Sequence, residues 1–158
     1  MFFRALLAPI ALLPIAFGAQ AQHQPPADIE IRAAYCISVL TGRSTDAQMR
    51  AALPGPRAQQ QALREAGAGF DRDVRRLRSY LVPRMKYLDS EALLASADRG
   101  QADVKTFLQT ERACKTSCDA TPSTTQEATA KSAACFGTCT AKDAAVERVR
   151  ACSPVSWL

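Results

Sequence analysis

The sequence predicts an all-α fold: a disulfide-stapled helical bundle with a C-terminal antiparallel helical hairpin carrying twin C-x3-C pairs. Three observations predict it. Beyond residue 21, alanine outnumbers valine and isoleucine together by 24 to 10, a balance that favours helix over strand. No run alternates apolar and polar residues long enough to make a half-buried strand. Among the six cysteines, Cys114-x3-Cys118 and Cys135-x3-Cys139 place both thiols of each pair on one helix face.

The elements follow in chain order. Met1 to Arg4 is a short basic start, Ala5 to Phe17 is apolar but interrupted by Pro9 and Pro14, and Ala19-Gln20-Ala21 satisfies the small-residue rule for cleavage. Residues 1–21 therefore read as a cleaved signal peptide, too short for the roughly 20 apolar residues of a membrane span. Gln22 to Ala27, with Pro25-Pro26, reads as a flexible lead-in, and residues 28–158 read as a single helical domain. Ile29, Arg32, Cys36 and Leu40, with Tyr35 and Val39 beside them, predict a helix from Asp28 to Leu40 that Gly42 ends. A short helix over Asp46–Ala52 stops at Pro54-Gly55-Pro56. Leu63, Ala66, Phe70, Val74, Leu77 and Leu81 mark one face of a long helix from Arg57 to Leu81, closed by Pro83. Ser90 opens a helical stretch that Gly100 divides from another over Gln101–Cys118. Asp119 to Gln126 reads as a turn, and the last helix runs to Cys152.

Antiparallel helices pair positions whose numbers share one sum. Cys118 with Cys135 and Cys114 with Cys139 meet that condition as two rungs one turn apart. The same sum sets Glu111 opposite Lys142, Phe107 opposite Val146 and Val104 opposite Val149, an ion pair and two apolar rungs. Agreement across levels favours the hairpin. Elimination leaves Cys36 for Cys152, one of the 15 connectivities that six cysteines allow. Over residues 104–149 the pattern resembles the twin C-x3-C hairpin of plant α-hairpinin peptides and of the small translocase chaperones of the mitochondrial intermembrane space. One group is antimicrobial or protease-inhibiting and the other consists of chaperones, so the resemblance implies a stapled helix pair and no activity.

An even cysteine count behind a signal segment places the chain in an oxidising compartment, the bacterial periplasm or the exterior. Thiols at such spacing could otherwise hold a soft ion such as Cu(I), as in exported copper-storage proteins, which are similar in their C-x3-C pairs but far richer in cysteine. C-x2-C zinc knuckles are absent. The one histidine, His23, stands in the lead-in, which leaves a Ser-His-Asp or Cys-His pair without a base in the folded part. Asp71 and Asp73 are two residues apart and point to different helix faces. No cofactor is expected.

The remaining signal is charge. The chain carries a formal net charge of +5. Arg72, Arg75, Arg76, Arg78, Arg84 and Lys86 stand against only Asp71 and Asp73 between positions 71 and 86. This candidate contact patch suits an acidic protein, lipopolysaccharide or an anionic membrane surface. A solvated face neutralised by Asp71–Arg75 and Asp73–Arg76 pairs is the simpler alternative. The polar segment between Cys118 and Cys135 is a second candidate surface, Trp157 is expected to pack back over the bundle, and nucleic acid is disfavoured by the weak net charge. The expectation is an exported, non-enzymatic binding protein. Its alternatives are a soft-metal binder and a histidine-poor enzyme.

Overall fold

The computed structural model describes residues 24–118, 126–141 and 143–158, with side chains in the fourth helix described from residue 129. The expected signal segment, His23, Lys142 and most of the expected turn after Cys118 lie outside the described residues. Among the described residues five helices follow in order: α1 (Asp28–Ala52), α2 (Arg57–Met85), α3 (Ser90–Cys118), α4 (Gln126–Thr140) and α5 (Ala144–Arg150). The all-α expectation holds. The described residues contain no strand beyond an isolated bridge between Gln24 and Leu88.

Two glycines expected to break helices lie inside them. Gly42 stands within α1 because it faces α3, where an added Cβ would come within 2.8 Å of Val104 Cγ1. Gly100 stands within α3 beneath α1, where a Cβ would lie 2.6 Å from the Tyr35 carbonyl oxygen. Both positions let α1 and α3 approach more closely than a side chain would permit. Within α1, the Thr41 and Thr45 hydroxyls donate to the Ile37 and Thr41 carbonyls at 2.7 and 3.0 Å, so neither needs an external partner. The helix ends at Leu53, extended at φ −75° and ψ 150°, as a residue before proline prefers.

Pro83 is likewise inside α2, two residues from its end, where the missing N–H removes a single late hydrogen bond. On the expected α2 stripe, Val74, Leu77 and Leu81 are buried and Phe70 half-buried, whereas Ala66 is exposed and Gly67 takes the buried place. The last helix is broken, not continuous to Cys152. Asp143 caps α5 by accepting from the Ala145 N–H at 2.8 Å, and its other oxygen accepts from Thr110 Oγ1 of α3 at 2.8 Å.

The disulfides pair Cys36 with Cys152, Cys114 with Cys139 and Cys118 with Cys135, at Cα–Cα distances of 5.3, 5.8 and 5.8 Å. By loop entropy the two hairpin bridges contribute about 3 kcal/mol each and the long one nearer 5 kcal/mol. Past the rungs, Phe107, Val146 and Val149 enter the common core with Val39 and Leu40 of α1 and Leu77 of α2. Glu111 is half-buried, and burial pushes its carboxyl above the usual range against the pull of Arg43, Arg50 and Arg150. Trp157 packs against the core, with the Arg32 guanidinium 4.3 Å above its ring.

Polar ties also join the helices. Asp103 of α3 accepts from Arg148 Nε and Nη2 of α5 at 2.7 and 2.8 Å, and from Tyr35 Oη of α1 at 2.8 Å. The Arg148 hydrogen bonds hold the Asp103 carboxyl below its ordinary range, and burial beside that carboxylate pushes the Tyr35 phenol up to about 12. Asp46 of α1 binds Arg112 of α3 at 3.0 Å and Arg50 of its own helix at 3.4 Å.

Two substitutions of one kind are expected to have opposite signs. Gly67→Ala places a Cβ no closer than 3.5 Å to any neighbour, so the helix-propensity gain of about 1 kcal/mol survives. Gly100→Ala drives a Cβ into a backbone carbonyl that cannot swing away, and overpacking at the upper end of about 1–3 kcal/mol exceeds that gain. Urea unfolding should show a higher midpoint for the first variant and a lower one for the second.

Asp103→Asn should cost about 1–3 kcal/mol at neutral pH through loss of charge-assisted hydrogen bonds. A depressed carboxyl contributes above its unfolded value near 3.9 and loses that contribution as pH falls through the folded value. The stability difference between wild type and variant, followed by denaturation across pH, should shrink below about pH 4.

Candidate functional site: the outer face of α2

α2 packs against α1 through Val74, Leu77 and Leu81. Helical geometry then turns the positions between them outward. Arg72, Arg75 and Arg78 are exposed, and among the described residues no carboxylate lies within ion-pair distance of them. The expected neutralising pairs do not form. Asp71 is turned inward, accepting from Ser44 Oγ at 2.6 Å and Gln48 Nε2 at 3.2 Å on α1. Asp73 accepts from Ser153 Oγ at 3.4 Å. Both acids that could have neutralised the face serve internal joints.

The six predicted patch residues divide. Arg76 leaves the set of free cations, because Nη1 donates to the Val155 carbonyl at 2.8 Å and Nη2 to the Leu158 main-chain oxygen at 3.2 Å. It clamps the C-terminal segment, whose Val155 is 2 % exposed. Arg84 lies 4.1 Å over the Tyr80 ring and donates to the Tyr80 carbonyl at 2.6 Å. Lys86 lies 4.6 Å over the Tyr87 ring. Both remain exposed, their charges held against aromatic faces.

Two members were missed. Arg57 and Arg64 are exposed on α2, and Arg57 stands 18 residues before Arg75, five full helical turns. Counting cations in a short window hid them; spacing along one face reveals them. The resulting stripe, from Arg57 through Arg64, Arg72, Arg75 and Arg78, ends in Val82, Met85 and Tyr87, which are 58 %, 45 % and 62 % exposed. At 1.5 Å per residue its span from Arg57 to Val82 is about 38 Å. Asp89 and Glu91 follow on the α3 side, where an Asp89 side-chain oxygen accepts from the Glu91 N–H at 2.9 Å.

The other expected surfaces resolve differently. Residues 126–134 of the polar segment between Cys118 and Cys135 belong to helix α4. All six cysteine sulfurs are in disulfides, so a soft-metal site on the ladder would first require reduction. Among the described residues no group of three or more histidine, cysteine or acidic side chains is arranged to hold a metal. Comparison with protein-family models, curated proteins and solved structures finds no match to this chain.

Arg75 and Arg76 are adjacent in sequence yet are expected to behave differently. Arg76→Ala should lower stability by about 1–2 kcal/mol, the lower part of the range for hydrogen bonds to charged groups, because the side chain is exposed. Arg75→Ala should stay within about 0.5 kcal/mol of wild type. Thermal unfolding of the two variants side by side measures the difference.

Proposed function

We propose that this chain is an exported, non-catalytic binding protein that docks on an anionic lipid surface through the outer face of α2. The observation that carries the reading is the row of exposed, unneutralised Arg72, Arg75 and Arg78 running into exposed Val82, Met85 and Tyr87. Cations attract phosphate headgroups at about 1 kcal/mol per residue near an anionic surface. Apolar and tyrosine side chains at one end favour the interfacial layer, where an amphipathic ring has both a dry and a wet neighbour. An acidic protein would satisfy the arginines but gives no role to the apolar end.

Export is supported by three disulfides and by the small-residue cleavage pattern at Ala19-Gln20-Ala21. No described helix is long and apolar enough to cross a membrane. The non-catalytic reading rests on how the buried carboxylates are committed. Asp46 and Asp103 are held by arginines, and the described residues include no histidine to act as a base.

Co-sedimentation with vesicles tests the reading. The disulfide-bonded protein should bind phosphatidylglycerol-containing vesicles and not pure phosphatidylcholine. Raising the salt from 0.1 M to 1 M, which shortens screening from about 10 Å to about 3 Å, should release it. Arg75→Glu with Arg78→Glu should weaken binding at least tenfold, whereas Arg76 is left intact to preserve the tail. Equal binding to both vesicle types, or indifference to salt and charge reversal, would overturn the assignment.

A further inference from the structure

A cleft on the other side of α1 carries a second, independent reading. It lies between the first half of α1, the first half of α3 and the end of α5, with a volume of about 290 Å³. The buried Cys36–Cys152 disulfide, Ile31 and Ala151 contribute to its lining, and most of its exposed lining is apolar. Arg32, Arg99 and Arg148 also line it, against one lining carboxylate, Asp28.

The three guanidiniums differ in a useful way. Arg32 is fixed by stacking on Trp157 and by donating from Nη2 to the Ala151 carbonyl at 3.1 Å. Arg148 is fixed by its two bonds to Asp103, which engage Nε and Nη2 and leave Nη1 without a described acceptor. Arg99 is exposed and has no hydrogen-bond or ion-pair partner among the described residues. Two held cations and one free cation around an apolar lining suit a ligand with one anionic end and one apolar end, because guanidinium donors in fixed positions recognise carboxylate oxygens. The volume falls just under the roughly 300 Å³ at which small-molecule sites begin, so the ligand is small.

We propose that this cleft binds a small amphipathic carboxylate, a medium-chain or aryl acid, with its carboxylate on Arg99 and the rim cations and its apolar part over the Cys36–Cys152 bridge. The interaction is binding only, with no bond made or broken.

The test uses the full disulfide-bonded protein and octanoate as probe, with 1-octanol as the same chain without the charge. Fluorescence of Trp157, the single tryptophan, reports on the cleft because Arg32 touches both. Octanoate should give saturable quenching or enhancement in the millimolar range or tighter, and octanol should bind at least tenfold more weakly. Arg99→Ala should weaken octanoate at least tenfold with little change in melting temperature, since Arg99 makes no hydrogen bond or ion pair among the described residues and its charge is the smallest of the influences on Asp103. Arg75→Ala, on the α2 face, should leave octanoate binding unchanged, which separates this site from the lipid-docking surface. Absence of saturable binding, equal affinity for octanol, or an Arg99→Ala variant that binds as wild type would overturn the proposal.

Discussion

The Cys36–Cys152 bridge is the constraint on which the rest of the arrangement depends. α5 is only seven residues long, too short to be stable as an isolated helix. The bridge fixes its C-terminal end against α1, and Asp143 and Thr110 fix its start against α3. With both ends held, Val146 and Val149 are delivered into the core and Arg148 reaches Asp103. The chain then turns back with Val155 and Trp157 packed over α1 and α2, within reach of Arg76. The same sulfur pair lines the cleft. One covalent link of sequence separation 116 thus sets the packing of the C-terminal segment and the surface beside it.

Carboxylate placement explains how a modestly charged protein acquires a concentrated basic face. Asp46, Asp71, Asp103 and Asp143 each accept hydrogen bonds between helices or at a cap, and so are drawn toward the joints of the bundle. The arginines of α2 have no such use apart from Arg76. A long cationic side chain resists burial unless paired, so these residues remain outside, and the outward field is stronger than a net charge of +5 would suggest.

The cysteine register was legible because helix periodicity and antiparallel pairing reduce to arithmetic on position numbers. The same arithmetic put Phe107, Val146 and Val149 in one core. Gly42 and Gly100 were misread because glycine is a breaker only by local propensity; here each marks a crossing whose partner is over fifty residues away, and no local window contains that partner. The break before α5 had a readable sign in Asp143 followed by Ala144-Ala145, an N-cap before helix formers, which the continuing sulfur ladder masked. The Tyr35–Asp103–Arg148 network and the clamp of Arg76 on the tail had no local signature at all. Each joins residues 45 to 82 positions apart, and only the folded topology brings them together.

The two proposed surfaces are physically separable, and the reason lies in α1. Its buried residues Ala33, Val39 and Leu40 fill the space between α2 and α3, so the arginine face lies on one flank and the cleft on the other. Neither contains a group of the other. The one physical link is the C-terminal segment: Trp157 stacks on Arg32 of the cleft, while Arg76 of α2 holds Val155 and Leu158. Packing of Val155 in the core and the bridge at Cys152 keep that segment in place with or without Arg76, so loss of the clamp weakens the fold before it can reach the cleft. A close-packed interior transmits a shift only where two arrangements are available, and the Cys36–Cys152 bridge ties the end of α5 covalently to α1.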